Sequence, residues 1–396
     1  LFEGSNLGSV QILTGSISGP AGTDTLNFSG MNSGIHIALA SNLHQNVSAG
    51  LELYIKNNSE SEEYAKIEYV IGSPFNDHIL GNQLPNILDG GGGVDILRGF
   101  AGNDILIGGG NDAVSGLGDQ LFGGIGDDIL RVSSGAARTM LYEEAGSDLF
   151  QFEGVDLGYV TIEPNSDPGE DDENTVDFSA LANPVTLALG TGLEQAVNDD
   201  LLLELVQTKC NIDQLLFLQL DHVIGTSFDD TILGNSRPNR LEGGLGNDQL
   251  DGLEGDDQLI GGAGNDILSG GPGADHLAGN GGDDSLYGGD GNDFLATGSN
   301  TGLDRAFGES GNDSYLAGTG IYTEFYEDSG DDLFLFDETS SGNFFITATD
   351  GEFAQGTDTL DFSCRHAAMD LVLGEDHIQD LADGLYLRLF NESWCV

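Results

Sequence analysis

The chain has 396 residues and a formal net charge of −56, because 67 acidic side chains outnumber 11 lysines and arginines. A nucleic-acid-binding surface needs a cluster of basic residues, so we expect no nucleic-acid partner. No stretch of about twenty apolar residues occurs, so the sequence predicts no transmembrane segment. Since 38% of the residues are nonetheless hydrophobic, the chain has the material for a core. A hard divalent cation such as Ca²⁺ is the simplest counterion for its carboxylates.

The first predicted element in chain order is a small β module, here called a head, over residues 1–71. Its opening segment, 2–12 (FEGSNLGSVQI), recurs at 152–162 (FEGVDLGYVTI) with seven of eleven residues identical, and 336–346 fits the same frame. Segments such as GIHIALA and PVTLALG alternate apolar residues with the period of two that is typical of strands. We therefore predict a second head within 132–224 and a third, truncated head within 317–396.

The segments that lead into the second and third heads are predicted to be caps. EEAGSDLFQF and EDSGDDLFLF place Phe150, Phe152, Phe334 and Phe336 where they would cover the last exposed coil of a repeat array. A helical turn over LEQAV, residues 193–197, is the alternative to a strand within the second head. Because all three heads keep their internal spacing, we expect each to dock onto the adjoining repeats and form one stiff rod.

Between the heads lie two blocks of nine-residue rows, at 72–131 and 225–316. From Gly243 to Ala296 six rows follow one another without an insertion, beginning GGLGNDQLD and ending GGDGNDFLA, each with Asp at the sixth place and Leu at the eighth. The last three residues of a row form a short strand whose Leu must point inward, and the six before it form a turn that needs glycine. Two rows complete one coil, so rows n and n+2 stack on the same edge.

This stacking predicts calcium sites in the turns. Calcium takes six to eight oxygen ligands, and two carboxylates from neighbouring turns plus several backbone carbonyls supply them. The alternative is that each Asp only caps its turn through hydrogen bonds. In a block of six rows in register we disfavour it, because stacked unpaired carboxylates repel one another. The predicted ligands are Asp77, Asp95, Asp104, Asp112, Asp128, Asp230, Asp248, Asp257, Asp266, Asp275, Asp284, Asp293 and Asp313.

Several rows depart from the pattern. Asn86 and Asn239 stand where Asp is expected, each after a Pro, so we predict a weak site or none in the second row of both blocks. The rows from Gly108 to Phe122 are one and two residues short, so Asp112 is kept as a candidate ligand and Asp119 is not. Among the cysteines, Cys364 and Cys395 form a disulfide or all three are isolated thiols; the sequence leaves both alternatives open.

The rows resemble the RTX, or haemolysin-type, calcium-binding nonapeptide repeat, over about Gly72–Arg131 and Gly225–Leu316. The resemblance implies parallel β-rolls, secretion through a one-step bacterial exporter and folding on contact with external calcium. The heads are similar to linkers between such rolls in large bacterial surface proteins. We therefore predict an all-β fold in which tandem parallel β-rolls alternate with small β heads in an elongated rod.

No HExxH, GxSxG or GxxxxGK[ST] motif occurs, so we expect no enzyme activity. We predict a calcium-binding structural or adhesive region of a secreted, extracellular cell-surface protein, with copies of itself or a cell-surface layer as candidate partners. The alternative is the calcium-dependent secretion and folding region of an enzyme or toxin. Ice binding would need a ladder of threonines, which the rows lack. Because a head is predicted at both ends, we expect this chain to be a fragment of a longer tandem array.

Overall fold

The computed structural model describes residues 3–4, 8–14, 24–39, 44–48, 51–57, 67–110, 118–133, 138–143, 145–164, 172–189, 194–198, 201–205, 208–209, 215–216, 220–298, 302–327, 329–337, 340–348, 357–364, 379–382 and 385–391. Every regular element within these ranges is a β-strand, which confirms the predicted all-β class. No helix in the described ranges is long and apolar enough to cross a membrane.

The strands before residue 183 are β1 (Glu3–Gly4), β2 (Gly8–Thr14), β3 (Thr25–Asn27), β4 (Gly30–Met31), β5 (His36–Ala38), β6 (His44–Ser48), β7 (Leu51–Asn57), β8 (Tyr69–Ile71), β9 (His78–Asn82), β10 (Ile87–Asp89), β11 (Ile96–Ala101), β12 (Ile105–Ile107), β13 (Gln120–Ile125), β14 (Ile129–Val132), β15 (Arg138–Glu143), β16 (Leu149–Phe152), β17 (Gly158–Pro164) and β18 (Asn174–Asp177).

The strands from residue 183 onward are β19 (Thr186–Ala188), β20 (Glu194–Asn198), β21 (Leu201–Leu205), β22 (Thr208–Lys209), β23 (Leu215–Leu216), β24 (Leu220–Ile224), β25 (Thr231–Asn235), β26 (Arg240–Leu245), β27 (Gln249–Leu253), β28 (Gln258–Ala263), β29 (Ile267–Pro272), β30 (His276–Gly281), β31 (Ser285–Asp290), β32 (Phe294–Ala296), β33 (Leu303–Ser310), β34 (Ser314–Leu316), β35 (Thr319–Glu327), β36 (Leu333–Leu335), β37 (Ser341–Ala348), β38 (Thr359–Asp361), β39 (Gln379–Ala382) and β40 (Leu385–Asn391).

The chain forms two compact units, residues 1–182 with 191–220 and residues 183–190 with 221–396. In the first unit one parallel sheet runs β3-β8-β10-β12-β14-β16-β18, and the opposite sheet runs β5-β9-β11-β13-β15-β17-β21 with β20 antiparallel at its edge. In the second unit one parallel sheet runs β24-β26-β28-β30-β32-β34-β36-β38. Its opposite sheet runs β19-β25-β27-β29-β31-β33-β35-β37-β40, with β39 antiparallel at the edge.

The strand register confirms the predicted coil of two rows. Leu250 pairs with Leu268 and Leu268 with Leu286, so neighbouring strands of one sheet are 18 residues apart in sequence. The eighth-place leucines line the interior, and from Leu250 to Leu295 each is at most 2% exposed. Burying one such side chain contributes about 1.5–3 kcal/mol. The hydrophobic core is thus a pair of leucine ladders enclosed by two parallel sheets, which is a β-solenoid.

The predicted caps are further coils of the solenoid. Phe150 lies in β16, which pairs with β14 on one side and β18 on the other, and Phe334 lies in β36 between β34 and β38. The expectation that these rings cover a last coil is therefore wrong. The reason lies in their frame: Gly146, Asp148 and Phe150 occupy the fourth, sixth and eighth places of a row, with Phe in place of Leu. The boundaries between rolls and heads stay a prediction.

The helical alternative for LEQAV is also wrong. Residues 194–198 form β20, which pairs antiparallel with β21. Ala196 is exposed and the adjacent Val197 is buried, which is the alternation of a strand with one covered face. The hairpin satisfies the backbone groups of this segment, so nothing is gained by a single helical turn.

Candidate calcium sites

The sixth-place aspartates form ladders along both edges of the solenoid. Asp248 N–H donates to Asp266 Oδ1 at 2.8 Å, and Asp266 N–H donates to Asp284 Oδ1 at 2.9 Å. On the other edge Asp257 N–H donates to Asp275 Oδ1 at 2.7 Å. Each carboxylate therefore reaches back to the coil before it, as the predicted stacking requires. The same ladder links Asp77 to Asp95 and Asp104 to Asp128 in the first unit.

In eight of the intact rows the second oxygen of the sixth-place carboxylate has no such donor. In the described part of the chain, the Oδ2 atom is buried and accepts no hydrogen bond in eight of the intact rows, which are those of Asp95, Asp104, Asp248, Asp257, Asp266, Asp275, Asp284 and Asp293. A buried polar atom without a partner costs about 1–3 kcal/mol, and more when it is charged. The donor set is hard oxygen, carboxylate and nearby carbonyl, which is the chemistry that Ca²⁺ takes. The residues present therefore fit a calcium ion.

Burial makes the metal-free carboxylates reluctant to ionise. Desolvation raises the pKa of Asp95 to about 9 and the pKa of Asp104 to about 8. It also raises the pKa values of Asp248, Asp257, Asp284 and Asp293 to about 7. Neighbouring carboxylates add to the shift: the charge of Asp119 raises the pKa of Asp95, and the charge of Asp266 raises that of Asp284. A bound divalent cation reverses this effect by favouring the ionised form.

The first glycine of each intact row makes room for the unpaired oxygen. A Cβ built at Gly261 would overlap Asp266 Oδ2 and lie 2.9 Å from its Cγ. The other intact rows repeat this contact, for example Gly252 with Asp257 and Gly279 with Asp284. By contrast, a Cβ at Gly281 would have Gly262 O as its nearest neighbour, at 3.6 Å. The first place of a row therefore needs glycine, because any side chain there would collide with the carboxylate. Position 281 has room for a methyl group.

We predict that Gly261→Ala lowers both the calcium affinity and the melting temperature. The methyl group has to push the Asp266 carboxylate out of its position, and such overpacking costs about 1–3 kcal/mol. Gly281→Ala is the matched control, because the added methyl makes only ordinary contact and removes backbone freedom from the unfolded chain. Calorimetric calcium titration and thermal melting of both variants measure the difference. Equal losses in the two variants would contradict the role assigned to Gly261.

Most of the predicted ligands within the described residues are members of the aspartate ladders. Asp128 and Asp313 accept from the backbone N–H of Asp104 and Asp293, at 2.7 and 2.9 Å. Asp77 and Asp230 are also buried, but protein donors occupy both of their oxygens. Asp112 lies outside the described residues, as do Cys210 and Cys395, while the Cys364 thiol is exposed.

Sequence reasoning set one ladder residue aside and missed others. Asp119, which lies in a shortened row, is buried and accepts from Asp95 N–H at 2.9 Å. Asp148, Asp304 and Asp332 extend the ladders from Asp128, Asp284 and Asp313. A shorter sequence pattern would have found these residues. Gly-x-Asp-x-apolar occurs at Gly146–Phe150, Gly302–Ala306 and Gly330–Phe334, and Asp119 is part of the still shorter pattern Asp-x-apolar.

The described residues contain no metal site of the kind that is built from side chains alone. Within the described ranges, no three or more His, Cys, Asp or Glu side chains come together in a way that could hold a metal ion. The predicted calcium geometry needs no such cluster, since two carboxylates share each site with backbone carbonyls.

The repeats and the fold together define the class of protein. The model of the RTX calcium-binding nonapeptide repeat (4 copies) matches residues 80–114, 118–136, 224–259, 233–268, 260–295 and 299–323. With the parallel β-solenoid, this fits an RTX β-roll protein, and the repeats belong to a calcium-binding type. The match covers most of both blocks that the sequence singled out, and it begins at residue 80 in the first of them.

Comparison with whole proteins adds little to this. No curated protein matches the chain. Among solved structures, the chain is similar to the extracellular lipase LipA from Serratia marcescens, with 14% sequence identity and a TM-score of 0.15. The matched region covers 87% of this chain and 43% of the lipase chain, so this chain spans less than half the length of that protein.

Proposed function

We propose that this chain is a calcium-binding structural and adhesive region of a secreted bacterial cell-surface protein, and that it folds on meeting extracellular calcium. The observation that carries the proposal is the set of buried Oδ2 atoms without a hydrogen-bond donor, repeated at the same place of successive coils. Such atoms are unfavourable in a metal-free fold and become ligands when a cation is bound.

Calcium suits the turns better than magnesium does. Calcium accepts a flexible set of six to eight oxygens at about 2.3–2.6 Å, whereas magnesium demands a tight octahedron and retains its water. Extracellular calcium modules have dissociation constants of about 10⁻⁴–10⁻³ M. A chain with sites in that range stays metal-free in the cytoplasm, where its carboxylates repel one another, and folds only after export.

The solenoid supports a structural role. In each unit the strand ladders run on past the intact rows: β16 and β18 follow β14, and β36 and β38 follow β34. A continuous stack of hydrogen-bonded coils holds its two ends at a fixed separation, which is what a surface spacer does. The alternative, a secretion and folding region for an enzyme, is separated from this proposal by the experiment that follows.

We expect an antibody against residues 243–296 to label intact, unpermeabilised source cells in calcium medium. Washing with EGTA should abolish recognition by an antibody that is specific for the folded rolls, and labelling should return when calcium is restored. A denaturation-insensitive antibody serves as the control for protein content. Recovery of the protein only from the culture medium, joined to a catalytic domain, would contradict the surface role.

A further inference from the structure

The first row of each block satisfies its aspartate without a cation. Thr226 N–H donates to Asp230 Oδ2 at 2.5 Å, the Thr226 hydroxyl donates to Oδ1 at 2.9 Å, and Val185 N–H donates to Oδ1 at 2.7 Å. The first unit repeats this arrangement independently. Ser73 N–H donates to Asp77 Oδ2 at 2.5 Å and the Ser73 hydroxyl donates to Oδ1 at 2.8 Å. Both oxygens of each carboxylate therefore already have donors.

The second row follows the same rule with a neutral side chain. Asn235 N–H donates to Asn239 Oδ1 at 2.7 Å, and Asn82 N–H donates to Asn86 Oδ1 at 2.9 Å. In all four rows the donor is the backbone N–H of the residue at the second place, and it points at the side-chain oxygen of the sixth place. In eight of the intact rows the corresponding Oδ2 atom has no hydrogen-bond donor.

The backbone explains the difference. In intact rows the second place has positive φ, as at Gly244 (φ 110°) and Gly262 (φ 115°). Leu253 and Asn280 keep positive φ there, at 75° and 70°, although such a conformation is strained for a side chain other than glycine. Among the described residues, the non-glycine positions with positive φ do not include Ser73, Asn82, Thr226 or Asn235. The turns of the first two rows thus have a different backbone conformation.

We propose that the residue at the second place of a row decides whether the sixth-place side chain binds calcium or the protein's own N–H. Where φ is positive, Oδ2 is left for a cation; where it is not, the N–H occupies that oxygen. A cation at Asp230 would have to displace Thr226 N–H, whose positive end repels it. Rows 72–89 and 225–242 are then metal-free first coils, and calcium binding begins in the third row of each block. This inference rests on the proposed calcium binding of the intact rows.

The test counts the calcium ions bound by the full chain, using equilibrium dialysis against saturating radioactive calcium. Asp230→Asn should leave the count unchanged, whereas Asp248→Asn, the same substitution one coil further on, should lose at least one ion. Asn239→Asp should also leave the count unchanged, because the new carboxylate meets Asn235 N–H as the amide does now. Circular dichroism in calcium confirms that each variant is folded.

The outcomes separate the inference from the proposed function. A lost ion in Asp230→Asn, or a gained ion in Asn239→Asp, would overturn the inference alone, since an Asp at the sixth place would then be sufficient. An unchanged count in Asp248→Asn would overturn the proposed calcium binding, and the inference with it. If Asp230→Asn does not fold, Asp77→Asn with Asp95→Asn as its control makes the same comparison in the first unit. Asn239→Asp is expected to fold, because the new carboxylate keeps an oxygen that can accept the hydrogen bond from Asn235 N–H.

Discussion

Removal of calcium with EGTA at neutral pH should abolish most of the β signal in far-UV circular dichroism, and millimolar calcium should restore it. Each unpaired buried carboxylate costs several kcal/mol if it stays charged, while a domain is stable by only about 5–15 kcal/mol in total. Eight such groups exceed that margin. The glycine-rich turns add to the loss, because glycine surrenders the most backbone entropy on folding and the chain has 62 of them.

The calcium-free protein should regain β structure as the pH is lowered. In the folded state the pKa of Asp248 is raised to about 7 and that of Asp95 to about 9. In the unfolded state the pKa of an Asp side chain is about 3.9. Between these values the folded state binds more protons than the unfolded state, so the free energy of unfolding falls as the pH rises. In EGTA, we therefore expect more β signal at about pH 5 than at about pH 8.

Two controls make the calcium result specific. Magnesium at the same concentration should restore little of the β signal, because it does not accept the irregular oxygen set of the turns. Sodium chloride at matched ionic strength should restore little as well, since screening acts weakly on buried charges. A β spectrum that is unchanged by EGTA at neutral pH would show that the ladders are stable without a cation and would refute calcium-dependent folding.

The parts of the fold that follow from a strict period could be predicted from the sequence. Leu at the eighth place predicted the buried ladders, and Asp at the sixth predicted the stacked carboxylates, because both are fixed by the geometry of a two-row coil. Asp148 and Asp332 escaped prediction because Phe replaces Leu two residues later. A buried coil accepts an aromatic ring there when neighbouring coils offer space, and only the stack shows that space: Phe334 lies 4.7 Å from Tyr315, ring centre to ring centre.

Hydrogen-bond partners from distant coils could not be read from the sequence. Asp230 has the residue type and the place of a ligand, yet its Oδ1 atom accepts from Val185, 45 residues earlier. The sequence shows the neighbouring Thr226 but does not show that its N–H points at the carboxylate, because that depends on the sign of φ at one position. Asn239 was set apart on residue type alone, since an amide is a weaker calcium ligand than a carboxylate, and the weak site or none expected there stays a prediction.

The central claim is that calcium binds between stacked turns, so that an interior aspartate matters more than a residue of a terminal row. Asp266 lies between Asp248 and Asp284 in its ladder and has an unpartnered Oδ2. Asn239 begins the other ladder, where its Oδ1 accepts from Asn235 N–H. Losing one ion at a hundredfold excess of calcium over its dissociation constant removes about 2.7 kcal/mol, while losing one neutral hydrogen bond removes about 1 kcal/mol.

The most direct measurement therefore compares Asp266→Ala with Asn239→Ala, by calcium titration and by thermal melting in saturating calcium. Both substitutions truncate a buried sixth-place side chain to the same methyl group, so the loss of packing is similar in the two variants. We predict that Asp266→Ala lowers the calcium affinity and reduces the melting temperature by more than twice as much as Asn239→Ala, whose calcium affinity stays near that of the unmodified chain. Equal effects of the two substitutions on affinity and melting temperature would contradict calcium binding between stacked turns.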